Sequence, residues 1–381
     1  MKIKRLLLSK LEKNVKLGQV TVVYGPRRVG KTTLIKKYLS SYQGRYLFLN
    51  ADELASREAL ESQDAQKLGE LVHGYDLLVV DEAQRVAEIG LNLKILVDTY
   101  PNLAIIATGS ASFDLANKIN EPLTGRKSTL TLYPISFEEL VQEVGLFEAK
   151  KQLERWIVWG GYPTSITTES IVQRKQLLGE LVGSYLYKDV LELDDIKRAD
   201  KIVDLLRLIA FQIGKEVSVA ELASNLALNR ETVERYLDLL EKVFVIFRVS
   251  GFSRNLRKEV VKNHRYYFYD NGVRNALIQN FNTLNLRDDV GQLWENYLVS
   301  ERMKVNHYHN RSVNSYFWRT YDQKEIDLVE ETGGQLYGFE FKWRQTKLNA
   351  STVREFTATY PKSLVQSVNS EKFDKFLLLK Q

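Results

Sequence analysis

Close to the N-terminus, Gly25-Pro26-Arg27-Arg28-Val29-Gly30-Lys31-Thr32-Thr33 places a glycine at each end of a short loop, then a lysine and two hydroxyls. Glycines let the backbone fold tightly enough for its N–H groups to surround phosphate oxygens. A helix starting there would add the positive end of its dipole. Lys31 would reach the outer phosphates of a nucleoside triphosphate, and the Thr32 hydroxyl would sit on Mg²⁺. Farther on, Asp81 could hold that Mg²⁺ through its water shell, and Glu82 could orient or deprotonate an attacking water. Thr108-Gly109-Ser110 offers hydroxyls able to report on the terminal phosphate, Ser110 among them. Phosphoryl transfer also calls for a cation on the developing charge, a part open to Arg126 or, inside the loop, to Arg27 and Arg28. Near the other end of the chain, Asp327 and Glu340-x-Lys342, with Glu295 upstream, could serve a second phosphate chemistry. Two carboxylates can bind a hard cation such as Mg²⁺, which activates water for attack on phosphorus, while the lysine positions that water.

These residues work together only if the chain brings them together. The apolar run Val20–Tyr24 predicts a buried strand leading into the glycine loop, with a helical pattern after it. Leu77–Val80 predicts a second strand ending at Asp81 and Glu82, and Leu103–Ala107 a third ending at Thr108. In a parallel sheet, ligands lie at the carboxyl ends of the strands, which is where all three sets fall. The C-terminal residues sit in "EIDLVEETGGQLYGFEFKW", Glu325–Trp343, which alternates apolar and polar, turns at Gly333-Gly334 and alternates again. That predicts a β-hairpin, with Glu340 and Lys342 on one face. The same alternation would equally set Asp327, Glu340 and Lys342 on the wet side of a half-buried sheet, with no chemistry. His307-x-His309 has no third ligand nearby and reads as surface strand.

Composition narrows the classes. At 381 residues, with 44% hydrophobic and 27% charged residues, the chain has the make-up of a multidomain globular protein. Cysteine is absent, which excludes a disulfide framework, a thiolate metal site and a cysteine nucleophile. No apolar run approaches the roughly 20 residues that span a bilayer, and "MKIKRLLLSKLEKN" lacks a signal peptide's apolar centre. No membrane partner and a cytoplasmic location are the expectations. A net charge of +6 permits nucleic acid as a partner without demanding it.

The series "GPRRVGKTT", "VVDEAQ", "ATGSAS", "LTGR" and "YPISFEEL" resembles the prokaryotic AAA-type ATPases related to the STAND branch. Members of that family carry a C-terminal region of unknown function (DUF4143-like), which "WGGYPT", "YLYKDVLEL", "YYFYDNGVRNAL" and "GQLWENYLVSE" resemble here. The resemblance covers nearly the whole chain and implies ATP binding with hydrolysis. From about residue 285 the order of helix, three strands, helix and strand resembles the restriction-endonuclease-like fold, whose PD-(D/E)xK site Asp327, Glu340 and Lys342 match, Glu295 taking the place of an accessory acid.

The expected fold class is thus α/β: a P-loop NTPase core (ASCE/AAA-type) over 1–135, a helical lid or linker over 136–200, a winged-helix domain over 201–284 and a nuclease-like domain over 285–381. Gly160-Gly161-Tyr162-Pro163 interrupts the helical stretch and is expected to be a hinge after the ATPase core. "EVSVAELASNLALNRETVERYLDLLEKVFVIFRVSGF" predicts a helix-turn-helix with a wing, Ser218 and Asn229 capping its helices. Its second helix sets Arg230, Arg235 and Lys242 against Glu231, Glu234, Asp238 and Glu241, a balance better suited to a spacer than to reading bases. The segment 254–265, with Arg254, Arg257, Lys258, Lys262 and Arg265, is the better candidate for phosphate contact. Three functions follow: an ATPase that moves its C-terminal domains, an ATP-regulated nuclease on DNA or RNA, or a nucleotide-switched binding protein with little hydrolysis. ATP/ADP and Mg²⁺ are the expected cofactors, and a homo-oligomer is consistent with the family.

Overall fold

A computed structural model describes residues 3–110, 123–193, 199–253 and 264–378, excluding the side chains of 184–193 and 199. The chain divides into two units, one built on Met1–Ile135 and the other on Ser136–Leu186, Lys197–Glu241 and Val245–Gln381.

In the first unit the apolar runs become β1 (Val20–Gly25), β2 (Tyr46–Asn50), β3 (Leu77–Asp81), β4 (Ala104–Ser110) and β5 (Lys127–Thr131). They form one parallel sheet in the order β2-β3-β4-β1-β5. β1, β3 and β4 are buried along their whole lengths, as strands covered on both faces must be, so their sequences run continuously apolar. Val22, Leu78, Val80, Ile105, Leu93 and Leu96 belong to the core on one face. The N-terminal helix Leu7–Asn14 is held by Leu7 and Leu11, one turn apart and both buried. The topology puts β4 between β1 and β3, so the end of β4 separates the glycine loop from the two acids.

The second unit is built on a seven-stranded sheet in the order β12-β11-β10-β9-β7-β8-β6. Its strands are β6 (Glu216–Val217), β7 (Ile246–Gly251), β8 (His264–Phe268), β9 (Asn314–Arg319), β10 (Glu325–Thr332), β11 (Gln335–Phe341) and β12 (Leu364–Val368). Pairing is antiparallel except between β11 and β12 and between β7 and β9. The β7–β9 pair, Ser250 with Tyr316 and Gly251 with Phe317, carries the sheet across residue 285, where a domain boundary was expected. Helices Val219–Leu226 and Arg230–Lys242 are joined by a turn with Ala227 at φ 52, and Ser218 and Asn229 accept N–H bonds from Glu221 and Thr232.

The structure corrects several sequence expectations. The hairpin turns at Gly333 and Gly334 as predicted, both at positive φ, but β10 is buried from Ile326 to Glu330 instead of alternating. It lies inside a seven-stranded sheet, between β9 and β11, and both its faces are covered. The helix after residue 289 runs on to Tyr308, so His307 is helical and His309 ends the helix, its imidazole beside Glu138. Asp374–Leu377 forms a short helix that packs against Val290–Tyr308.

The Gly160-Gly161 break is not a hinge. Gly160 has φ 71, and a Cβ there would lie 2.0 Å from Asp270 Oδ1. A Cβ on Gly272 would lie 2.2 Å from the Trp159 carbonyl. The buried Asp270 carboxylate accepts the Gly161 N–H at 2.6 Å and caps the helix Asn271–Leu277 through Val273. Two turns interlock inside the second unit, Gly272 against the Trp159 backbone and Gly160 against the Asp270 side chain, with Gly160 at a positive φ that favours glycine. The two motifs "WGGYPT" and "YYFYDNGVRNAL" meet at this joint.

Candidate functional site

β1 ends at Gly25 with φ 150, where a Cβ would come within 2.2 Å of the Leu132 carbonyl, so the loop must leave the sheet through glycine. Arg28 (φ 58) and Gly30 (φ 96) both take left-handed backbone as the loop curls into the helix Lys31–Leu39. No side chain caps that helix, which leaves its first N–H groups to a ligand. Lys31 is buried, and its ammonium donates to the Gly25 and Pro26 carbonyls at 2.9 and 3.1 Å. Val29 is buried, Arg27 half-buried, and Arg28 and Thr33 are exposed. From outside, Arg5 steadies the loop, donating to the Val29 carbonyl at 2.8 Å and the Tyr133 carbonyl at 2.5 Å.

Across the sheet edge, Thr32 Oγ1 donates to Asp81 Oδ2 at 2.7 Å, and Thr108 Oγ1 donates to Asp81 Oδ1. Thr108 also accepts the Glu82 N–H at 3.2 Å. Glu82 takes left-handed backbone (φ 55), and its carboxylate accepts from Gln84 Nε2 at 2.6 Å. The same nitrogen donates to Ser110 Oγ at 3.2 Å. Lys31, Thr32, Asp81, Glu82 and Ser110 therefore gather at one edge, as three parallel strands ending side by side require. Sequence reading missed Thr108 as the bridge and Gln84 as the partner of Glu82; the sole signal for Gln84 was its place two residues after Glu82.

Arg126 is not brought to this edge. It precedes β5, its carbonyl accepts the Val20 N–H at 2.9 Å, and Lys127 pairs with Val20 at the start of β1. The glycine loop lies at the other end of β1, roughly 16 Å away at ~3.3 Å per residue. Its guanidinium is paired with Asp98 at 2.5 Å. Within one chain it cannot reach the loop.

The C-terminal acids do converge. The register that pairs Leu328 with Phe339 sets Asp327 beside Glu340. Asp327 is buried and accepts the Phe341 N–H at 2.7 Å, while Lys342 Nζ lies 3.1 Å from Glu340. Glu295 accepts from the Tyr267 hydroxyl at 2.8 Å and lies 3.6 Å from Arg265. A cleft of about 420 Å³ is lined by Lys215, Glu295, Glu325, Asp327, Lys342 and Arg344 among others. Arg265, expected to meet phosphate, is instead buried over the Phe317 ring and paired with Glu325 at 2.7 Å. The rest of that basic run, 254–263, lies outside the described residues. No group of three His, Cys, Asp or Glu side chains is placed to hold a metal ion among the described residues, so these acids fall short of a complete side-chain ligand set.

Burial, followed by the nearby Asp327 carboxylate, pushes Glu295 up to about 8 and Glu340 to about 7, against the opposing pull of Arg265 and Lys342 respectively. Burial likewise raises Asp327. Burial alone would lower Lys342, but Asp327 and Glu340 outweigh it and raise it. Carboxyls raised in the folded state bind protons that the unfolded chain, titrating near 4.5, has released. Their contribution to stability is full below about pH 4.5 and is lost as pH rises through 7 to 8. Urea denaturation of the second unit is therefore expected to become easier between pH 5 and pH 8. Glu295→Gln with Glu340→Gln should flatten that slope; equal slopes in both proteins would count against the assignment.

Comparison with known proteins follows this division. A family model described as an AAA domain matches residues 18–141. Two described only as domains of unknown function, DUF8612 and DUF4143, match residues 150–284 and 290–376. An uncharacterized protein of Mycobacterium tuberculosis is 28% identical over 354 residues, covering 91% of this chain and 75% of that one. One from Methanocaldococcus jannaschii is 25% identical over 333 residues, covering 82% and 72%. A STAND protein with a tetratricopeptide repeat sensor from Pyrococcus horikoshii, known from a crystal structure, aligns with TM-score 0.31 and 11% identity over 82% of this chain. This chain spans 48% of that structure, and nothing about fold or function follows from so low a score. Among the described residues no helix is long and apolar enough to cross a membrane. The glycine-loop geometry, the parallel sheet and the match of an AAA-domain model to residues 18–141 together support a P-loop NTPase core of the α/β class in the first unit.

Proposed function

We propose that the chain binds ATP with Mg²⁺ at Gly25–Thr33 and hydrolyses it, using the cycle to move its C-terminal elements. One observation carries the reading. Thr32, in the first turn of the helix after β1, and Asp81, at the end of β3, meet at 2.7 Å; Lys31, buried, precedes Thr32 and Glu82 follows Asp81. A hydroxyl and a carboxylate in contact suit a hard cation, and the loop and helix N–H groups suit phosphates, so the residues fit both groups. Mg²⁺, when bound, would offset charge on the phosphates. Lys31 would exchange its two carbonyl partners for phosphate oxygens, and Glu82 would take the proton of the attacking water. Arg126, if it acts, acts from a second copy of the chain, and turnover per molecule would then rise with protein concentration.

Lys31→Ala is expected to weaken ATP binding by about 10- to 100-fold, the worth of a charge-assisted hydrogen bond. Titration with a fluorescent ATP analogue, alongside phosphate release, measures this. Equal affinity for wild type and variant would sink the reading. ATP binding without any phosphate release would favour the nucleotide switch.

The carboxylate cleft supports a second reading: cleavage of DNA or RNA with Asp327, Glu340 and Lys342 at the site and Glu295 as accessory acid. Glu295, Asp327 and Lys342 line one cleft and Glu340 lies 3.1 Å from Lys342, and that convergence favours it. The helices Val219–Leu226 and Arg230–Lys242 with β6, β7 and β8 have the order of a winged helix, which would present that cleft to a partner. Incubating labelled single- and double-stranded DNA and RNA with Mg²⁺ or Mn²⁺, with and without ATP, tests it. Cleavage absent throughout, or unchanged in Asp327→Ala, would retire it.

A further inference from the structure

We propose that Gln84 is a positioning residue of the nucleotide site, one that withholds Glu82 from the attacking water until the carboxyl end of β4 shifts. The inference rests on the ATPase reading above. Glu82 opens a 3₁₀ turn, Ala83–Arg85, from a left-handed backbone conformation (φ 55, ψ 41) unusual for a side chain of its kind. Gln84, two residues on, meets Glu82 on one side and β4 on the other.

A carboxylate has only acceptors, so the Gln84 atom 2.6 Å from Glu82 Oε2 must be the amide nitrogen. That nitrogen also donates to Ser110 Oγ, the last residue of β4, at 3.2 Å. One amide thus ties the candidate base to the strand lying between the phosphate loop and the acids. Thr108, on the same strand, holds the Glu82 backbone N–H. β4 therefore grips Glu82 twice, at the main chain through Thr108 and at the carboxylate through Gln84 and Ser110.

The remaining amide atom, Gln84 Oε1, is buried and has no hydrogen-bond partner among the described residues. A buried carbonyl without a donor is costly, so this arrangement is poised to change. Rotation of the amide would break the Glu82 contact. While the contact lasts, a lone pair on Glu82 Oε2 points at an amide and not at water.

Gln84→Met keeps the side-chain length and removes both donations, and Gln84→Ala removes them without the bulk. In the full-length protein at saturating ATP, each is expected to raise kcat by about three- to tenfold and leave KM for ATP within about twofold. A glutamine that only supports the fold would lower kcat or the melting temperature when lost; it would not raise kcat alone. Adding Gln84→Met to Glu82→Gln should leave turnover at the level of Glu82→Gln alone, which would place the gain on Glu82. Thermal melts identify which variant to read: if Gln84→Met unfolds, Gln84→Ala carries the test. If wild type hydrolyses ATP and the folded variant is no faster, the latch is wrong and the ATPase reading stands. If both bind ATP and neither releases phosphate, the ATPase reading fails and the latch with it.

Discussion

Glu82→Gln is expected to lower ATP turnover by about 10²- to 10⁴-fold while leaving ATP affinity close to wild type. The amide keeps the size of the carboxylate and its place on the turn after β3 but cannot accept a proton. Binding should survive because the residues that meet phosphate and Mg²⁺ in this reading, Lys31, Thr32 and Asp81, are untouched. Single-turnover phosphate release separates chemistry from binding, with nucleotide affinity measured in parallel. Turnover within a few-fold of wild type would remove Glu82 as the base. The contrast with Lys31→Ala is the useful one: that variant should lose affinity, this one the chemical step.

The second large effect concerns stability. Arg302→Ala is expected to cost about 3–5 kcal/mol, because it strands a buried carboxylate. Glu330 is 1% exposed and receives Arg302 through two nitrogens, at 2.8 and 2.7 Å, and Asn306 at 2.8 Å. Arg302 also donates to the Phe376 carbonyl at 2.5 Å and lies over the Phe376 ring, so the pair ties the helix Val290–Tyr308 to β10 and to the C-terminal helix. Arg302→Met with Glu330→Leu, which removes both charges and keeps the bulk, should recover most of the loss. Urea titration of the three proteins measures it, and a single variant within about 1 kcal/mol of wild type would refute the account.

The proposed nucleotide edge was legible in the sequence because its parts are local. A glycine loop, a lysine and a hydroxyl follow one strand, and two acids follow another. Continuous apolar runs announce that both strands are buried. The parallel sheet then has to bring their ends together, and it does. The C-terminal triplet was legible for a similar reason, since a two-glycine hairpin sets the register between Asp327 and Glu340.

What escaped depended on partners distant in the chain. Alternation in β10 suggested a wet face, but a second covering layer buries Asp327 and Glu330, and no periodicity within one hairpin reveals its neighbours. Gly160 suggested a hinge until Asp270, far along the chain, filled the space where a Cβ would stand. Arg265 read as part of a basic run, yet its charge is taken up by Glu295 and Glu325. The sequence by itself determined the α/β class of the first unit and which side chains gather at the edge of its sheet, because short-range spacing sets strand, loop and helix start. Only the tertiary structure decided that Arg126 lies at the far end of the sheet, that Gln84 holds Glu82, and that the acids of the second unit are buried and internally paired. Those outcomes turn on strand order and on which faces are covered, and both arise from packing between segments that local sequence does not encode.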